Sequence, residues 1–398
     1  MAGVLRRTFA SFEVRNFRLF IFGQGLSMCG TWMQVIGVSW LVLKLTHSGT
    51  QIGFVVAAQF LPILLLGVWG GVVADRFDKR RTLYFTQTAA GLLALVLGLL
   101  VISGHIHLWM VYALAAGLGL VTVIDSPTRQ TFVIEMVGRE RLKNAVTLNS
   151  TIVNGARIIG PSIAGVLILT VGIGQCFLIN AASYIAVLIA LAMMDKSELH
   201  ATPRSERVRG QIRAGLRYVW GVPRLRSTLI MMFIIGTFAY EFPVILPLFA
   251  TVTLHGNAGT YAALTAAMGI GSVAGGLYAA SRNSIGQKQL IWTAVLFGCG
   301  ILLAAAVSGL VAPIIVLGLV GALSVLFISV GNTTLQLTSD PTMRGRVMSL
   351  WTIAFLGTTP IGGPIIGAIA DHTNPRVGLA AGGVSALLAA GLGFIAAR

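Results

Sequence analysis

Long apolar runs alternate with short polar connections along the whole chain. Each run is close to the roughly 20 residues an α-helix needs to cross a hydrocarbon layer. The alternation predicts twelve spans, at about 17–43, 50–73, 82–103, 108–127, 143–170, 174–194, 227–251, 257–281, 287–308, 312–336, 345–370 and 377–396. Connections on one side are very short, such as Thr46-His47-Ser48-Gly49, Gly104-His105-Ile106-His107 and Asp371 to Arg376. They leave no extramembrane domain for soluble catalysis, so an enzyme is not expected. The first apolar run lacks a small-residue cleavage site and reads as a retained span.

The longest polar segment is 195–226. Within it Val208, Ile212, Leu216 and Val219 recur at helical spacing, with Arg209, Arg213 and Arg217 on another face, which predicts an amphipathic helix on the membrane surface. The expected organisation is a six-helix bundle over 1–194, this linker, and a second six-helix bundle over 227–398. Ahead of the first span, residues 1–16 read as an interfacial lead-in with Phe9, Phe12 and Phe17 facing lipid.

Composition agrees with the pattern. Of 398 residues 56% are hydrophobic and only 10% charged, against about a quarter charged in soluble domains. The net charge of +16 would suit nucleic acid, but its distribution argues for a membrane instead. All Lys and Arg except Lys44, Arg157 and Arg376 fall at the termini or in every second connection. That asymmetry places both termini in the cytoplasm and makes anionic lipid headgroups the counter-charge. Nucleic acid is not an expected partner. Cys29, Cys176 and Cys299 lie in apolar runs without metal spacing, and no phosphate-binding loop is present, so no metal or cofactor is expected.

Between the second and third spans the chain reads Gly70-Gly71-Val72-Val73-Ala74-Asp75-Arg76-Phe77-Asp78-Lys79-Arg80-Arg81. Taken alone it is a basic cytoplasmic turn. The pattern G-x-x-A-D-R-x-D-K-R-R resembles the loop signature of major facilitator superfamily transporters, most of all the branch of siderophore (enterobactin) and macrolide exporters. The usual family pattern has Gly at Asp78, whereas that branch commonly carries Asp. The resemblance implies an all-α membrane fold of twelve transmembrane helices in two pseudo-symmetric six-helix bundles. It also implies a cytoplasmic gate in which Asp75 and Lys79 or Arg80 meet Asp125 at the end of the fourth span, with Gly71, Arg76 and Asp78 completing the motif.

An internal repeat fits that fold. A shift of 203 residues superposes Arg141 on Arg344, Gly160 on Gly363 and Pro161 on Pro364. A decayed second signature, Gly275 to Arg282, holds no acid. Gly155, Gly160, Pro161 and Gly165 resemble the Gly-Pro motif of the family's exporters in the fifth span; the competing reading is an ordinary kinked packing helix.

Ionisable groups inside spans are costly and mark candidate sites. Glu241 lies within the seventh span before Pro243 and Pro247 and could carry a proton or meet a cationic cargo. The alternatives are that it reaches the headgroups or pairs structurally. Arg157 ends a polar face formed with Thr147, Ser150 and Asn154, either lining a wet cavity or fixing helix packing. Gln24, Ser27, Thr31 and Gln34 share a face of the first span, and Ser329, Asn332 and Gln336 share one of the tenth. The resemblance implies cavity walls there; amide packing between helices is the plainer account. The fourth span lacks the family's mid-membrane Arg-x-x-Gln-Gly motif, since Ala113 to Ile124 holds no charge.

The expected function is a monomeric exporter in a bacterial inner membrane. It moves an amphipathic small molecule outward by alternating access, driven by the proton gradient. Rival readings are a lipid or lysophospholipid translocator, a nutrient importer and a non-transporting scaffold.

Overall fold

The computed structural model describes residues 10–200, 211–281, 286–340 and 343–396. Among them there is no strand, and twelve helical stretches are long and apolar enough to cross a membrane. In chain order these are α1 (Arg15–Thr46), α2 (Gly49–Arg76), α3 (Lys79–Ile102), α4 (Leu108–Gly138), α5 (Glu140–Thr170) and α6 (Ile173–Met193). A linker helix α7 (Gln211–Gly221) leads to α8 (Pro223–Phe238), which continues as α9 (Phe242–Leu248). Then follow α10 (Ala258–Ser281), α11 (Gln287–Ala306), α12 (Val311–Thr338), α13 (Arg344–Leu356) continued by α14 (Thr359–His372), and α15 (Pro375–Ile395).

Four spans differ from the sequence expectation. The fourth and fifth are two helices that follow one another with only a kink at Gly138 between them, whose φ of 69° only glycine adopts without strain. The fourth extends beyond its expected end because Pro127 sits inside the helix without ending it, and Pro161 likewise lies within the fifth. The seventh span unwinds over residues 239–241 and then widens into a π turn at Phe249–Thr253. The eleventh is interrupted between Leu356 and Thr359, where Pro360 starts a new helix.

By contact the chain divides into one unit of Met1–Val38 and Leu65–Glu206 and a second of Ser39–Leu64 and Arg207–Arg398. Inside the first, Phe17, Phe20, Leu83, Phe132, Val187 and Leu191 are fully buried in one cluster. Phe17 therefore belongs to the core and does not face lipid. Phe12 packs against the same cluster, with its ring centroid 6.2 Å from that of Phe17. Phe12 stays half-buried and its ring also packs on that of the exposed Phe22, so only Phe17 is withdrawn into the core; Phe9 lies outside the described residues.

The repeat is visible in the packing. In the first unit α3 pairs with α6; in the second α11 pairs with α15. A Cβ on Gly70 would lie 1.9 Å from the Val123 carbonyl oxygen, and one on Gly275 would lie 2.2 Å from that of Ala322. Such bare backbone contacts are how membrane helices gain dispersion energy without a hydrophobic drive.

In the linker, Val219 is buried and Gly215 lies against Arg346, while Leu216 is exposed. Tyr218 accepts a hydrogen bond from the Asp340 amide at 3.0 Å. Val208 and Arg209, and the side chains of Ile212 and Arg213, lie outside the described residues.

Candidate functional site

The α2–α3 connection is built from helix-end chemistry. Asp78 precedes α3 and its carboxylate accepts the Arg81 amide at 2.8 Å, an N-cap that satisfies one of the helix's free donors. Arg80 is buried and donates to the last carbonyls of α6, Leu191 at 2.7 Å and Ala192 at 3.1 Å. A cation there also opposes the negative end of the α6 dipole. Lys79 donates to Glu135 of α4, with both side chains largely shielded.

Asp125 takes neither base of the loop. Its Oδ1 accepts from Thr86 at 2.8 Å and Gln87 at 2.7 Å, and its Oδ2 lies 3.4 Å from Arg129. The expected pairing with Lys79 or Arg80 is thus corrected. Glu135 stands about 15 Å farther along α4, level with the loop, whereas Asp125 is level with the third turn of α3. The Asp75 side chain lies outside the described residues; Arg76 is exposed and Gly71 half-buried.

The linker's first residues are tied to this same face. Asn16 and the Asp195 backbone exchange hydrogen bonds at 2.8 and 2.9 Å, and the His200 amide donates to the Glu135 carbonyl at 2.8 Å. The hydroxyl and then the amide of Ser197 hold the Asp195 carboxyl below its usual range.

Along α5, Thr147 and Ser150 are exposed, and Asn154 is half-buried and donates to the Ser150 carbonyl. The half-buried Arg157 places its guanidinium carbon 5.1 Å from the Trp32 ring centre. One turn later Gly160 touches α1, where a Cβ would lie 2.7 Å from the Cys29 carbonyl oxygen. Gly155, by contrast, has nothing within 4 Å. Pro161 and Gly165 are buried.

The polar face of α1 is buried at Gln24, Ser27 and Gln34 and half-buried at Thr31. Gln34 accepts from Asn180 of α6 at 2.6 Å. Both amide atoms of Gln24 lack a hydrogen-bond partner among the described residues. On α12, Ser329 borders a cavity of about 230 Å³ together with Gly276, Gln289 and Thr333. Asn332 accepts from Gln336, which is exposed.

Glu241 lies in the break between α8 and α9 and is 3% exposed, so protein and not a headgroup surrounds its side chain. Its Oε1 has no hydrogen-bond partner among the described residues. Phe238, Phe242, Ile245, Ile366 and Leu379 surround it, with a void of about 10 Å³. A Cβ on Gly362 would lie 3.1 Å from Oε1, and one on Gly363 3.3 Å from Oε2. The glycines thereby make room for the carboxyl group. Neighbouring Tyr240 is pinned by its hydroxyl to the Ser324 carbonyl at 2.8 Å and meets Phe355 edge-on.

A family model described as transmembrane secretion effector matches residues 6–398. The chain belongs to that family. It is a major facilitator superfamily transporter, and neither its relatives nor its fold are those of enzymes. It is 26% identical to the multidrug efflux pump Tap of Mycolicibacterium fortuitum over 89% of this chain and 88% of that protein. The enterobactin exporter EntS of Shigella boydii is 24% identical over 94% and 89%. A staphyloferrin A transporter of Staphylococcus aureus is 34% identical, over 43% of this chain and 44% of that protein. Among solved structures, the nucleoside transporter NupG gives a TM-score of 0.78 at 11% identity, covering 96% of this chain and 99% of that one. A bacterial homologue of the transporter Spinster gives 0.75 at 14%, covering 96% of each. These likenesses confirm the fold, and this secretion effector is a multi-pass inner-membrane protein.

In this secretion effector the sequence reading passed over Trp32, Glu135 and Asp371. Trp32 sits in an apolar run and carries no signal of its own. Glu135 could have been found as an acid level with the loop once α4 was extended past Pro127. Asp371 could have been found as an acid beside a short connection facing Ser48-Gly49-Thr50, a helix start.

Proposed function

We propose that the chain is a secondary active exporter, moving an amphipathic small molecule of drug or siderophore type outward by alternating access against proton influx. The observation that carries the reading is Glu241, a carboxyl group in a helix break, shielded from solvent, with Oε1 unpartnered and glycine backbone on two sides. An ionised carboxylate left there without a partner costs several kcal/mol. Taking up a proton removes that cost and returns it on release, so the group couples proton occupancy to the packing of α8, α9 and α14. Relatives described as a multidrug efflux pump, an enterobactin exporter and a staphyloferrin A transporter support the cargo class and direction. The basic connections support cytoplasmic termini. Arg157, held over Trp32 on the open face of α5 with Asn154 one turn away, is the contact for an acidic group on the cargo.

The test is flux in proteoliposomes with an imposed pH gradient, using a panel of siderophores, antibiotics and lysolipids. Export of a siderophore or antibiotic that stops when the gradient is collapsed supports the reading. Transport of lysolipids alone would favour the lipid translocator, and gradient-independent export would remove the proton.

A further inference from the structure

On the face with few charges, Asp371 ends α14 and accepts four hydrogen bonds from the start of α2. Ser48 Oγ donates at 2.6 Å, Thr50 Oγ1 at 2.7 Å, and the amides of Gly49 and Thr50 at 2.6 and 2.9 Å. The partners are more than 320 residues apart in sequence. The two amides are among the donors that any helix start leaves unpaired, so a residue from α14 completes α2. Bonds to an ionised acceptor are roughly twice as strong as neutral ones.

Below this carboxylate the two helices cross on bare backbone. A Cβ on Gly367 would lie 2.2 Å from the Gly49 carbonyl oxygen, and one on Gly53 would lie 2.4 Å from that of Gly363. Gly49 and Gly53, and Gly363 and Gly367, are each four apart, a matched pair of the small-xxx-small repeats that bring membrane helices together. A Cβ on Gly363 would lie between Gly53 and Glu241, 3.2 Å from the Gly53 carbonyl oxygen and 3.3 Å from Glu241 Oε2.

Residues Ser39–Leu64 pack with the second unit, although α1 and α2 run on without interruption into residues that pack with the first. In a carrier that opens alternately, a segment placed so must exchange its partners in every cycle. We propose that Asp371 is the positioning residue of an outer latch, holding the start of α2 on α14 and keeping the glycine crossing shut until cargo is to be released. The latch rests on the alternating-access reading above and adds to it the residue that holds the outer side closed. Its strength sets the population of the closed state, because all four bonds and the glycine contacts part together when this face opens.

The test replaces Cys29, Cys176 and Cys299 by Ala and places a reporter cysteine by Ala57→Cys, one turn beyond Gly53 on the same face of α2. A membrane-impermeant maleimide is applied from outside. Asp371→Asn is expected to raise the labelling rate about tenfold, and Ser48→Ala with Thr50→Val, which keeps the two amide donors, to raise it by a smaller factor of about 3. Unchanged labelling in either variant, with the protein monodisperse, overturns the latch. If Asp371→Asn does not fold, the hydroxyl pair decides alone. The cargo panel is run in parallel on the unsubstituted protein. Faster labelling with no cargo moved upholds the latch and defeats the export reading, whereas unchanged labelling in a chain that exports defeats the latch alone.

Discussion

Lys79 pairs with Glu135 and not with Asp125, although both acids lie on α4. The loop's basic residues are thus divided among separate partners, Lys79 on Glu135 and Arg80 on the carbonyl end of α6. Each base fastens a different helix to the same connection. A single Asp125-centred knot would have tied only two.

The pairing predicts its own coupling. Lys79→Ala and Glu135→Gln should be non-additive by about 0.5–3 kcal/mol in a denaturant double-mutant cycle, as contacting residues are. Lys79→Ala and Asp125→Asn should add within about 0.5 kcal/mol. The opposite ranking would restore Asp125 as the partner of the loop.

The glycines of the Gly-Pro motif are not equivalent. Gly160→Ala drives a methyl to within 2.7 Å of the Cys29 carbonyl oxygen and 2.5 Å of Trp32 Cβ. Overpacking of that kind costs about 1–3 kcal/mol. Gly155→Ala meets nothing within 4 Å and stands in a helix interior, where replacing Gly by Ala gains about 0.5–1 kcal/mol. Thermal unfolding in a fixed detergent should therefore move in opposite directions for the two. Equal losses would mean that Gly155 is used in a packing this structure does not contain.

Glu241→Gln preserves shape and removes the exchangeable proton. The protein should stay folded with Tm unchanged or raised, because an amide needs no counter-charge in apolar surroundings. Gradient-driven export should fall at least about tenfold, which is only about 1.4 kcal/mol in the driving step, and its dependence on pH should flatten. An unaltered pH profile of flux would exclude Glu241 as the coupling group.

The twelve spans, the repeat and the buried acid were legible because each leaves a linear mark: apolar length, a fixed offset, or charge where none is expected. What stayed hidden is pairwise. Asp125 and Glu135 are equally acidic on one helix, and only the extension of α4 to Gly138 brings the second level with Lys79. The stripe at Gln24 and Gln34 has the same period whether it faces water or α6, and Asn180 decides for α6 at Gln34. Phe17 looked like a lipid-facing ring because interfacial and core aromatics share a sequence pattern. Asp371 stood in plain view as an outer acid, but a carboxylate shows no sign of which helix start it will complete.

Arg157 offers the sharpest separation of binding from packing. Its guanidinium stacks on Trp32 but lies on the same helix face as the exposed Ser150 and half-buried Asn154. Trp32 and Arg157 are both half-buried, and a cation over a ring is worth about 0.5–1 kcal/mol when exposed and about 2 when desolvated, so Arg157→Ala should lower stability by about 1–2 kcal/mol. If the guanidinium also grips an acidic group on the cargo, losing that charged contact should weaken binding by about 2–3 kcal/mol, or roughly 30- to 150-fold. Arg157→Lys should recover part of the affinity through charge but little of the stacking, since an ammonium lacks the planar fork. Trp32→Leu should reproduce the stability loss and only a minor part of the affinity loss. The measurement is cargo affinity beside Tm for the three variants. Should Arg157→Ala cost more in Tm than in affinity, the residue is a packing element of α1 and α5 and the acidic group on the cargo must be met elsewhere.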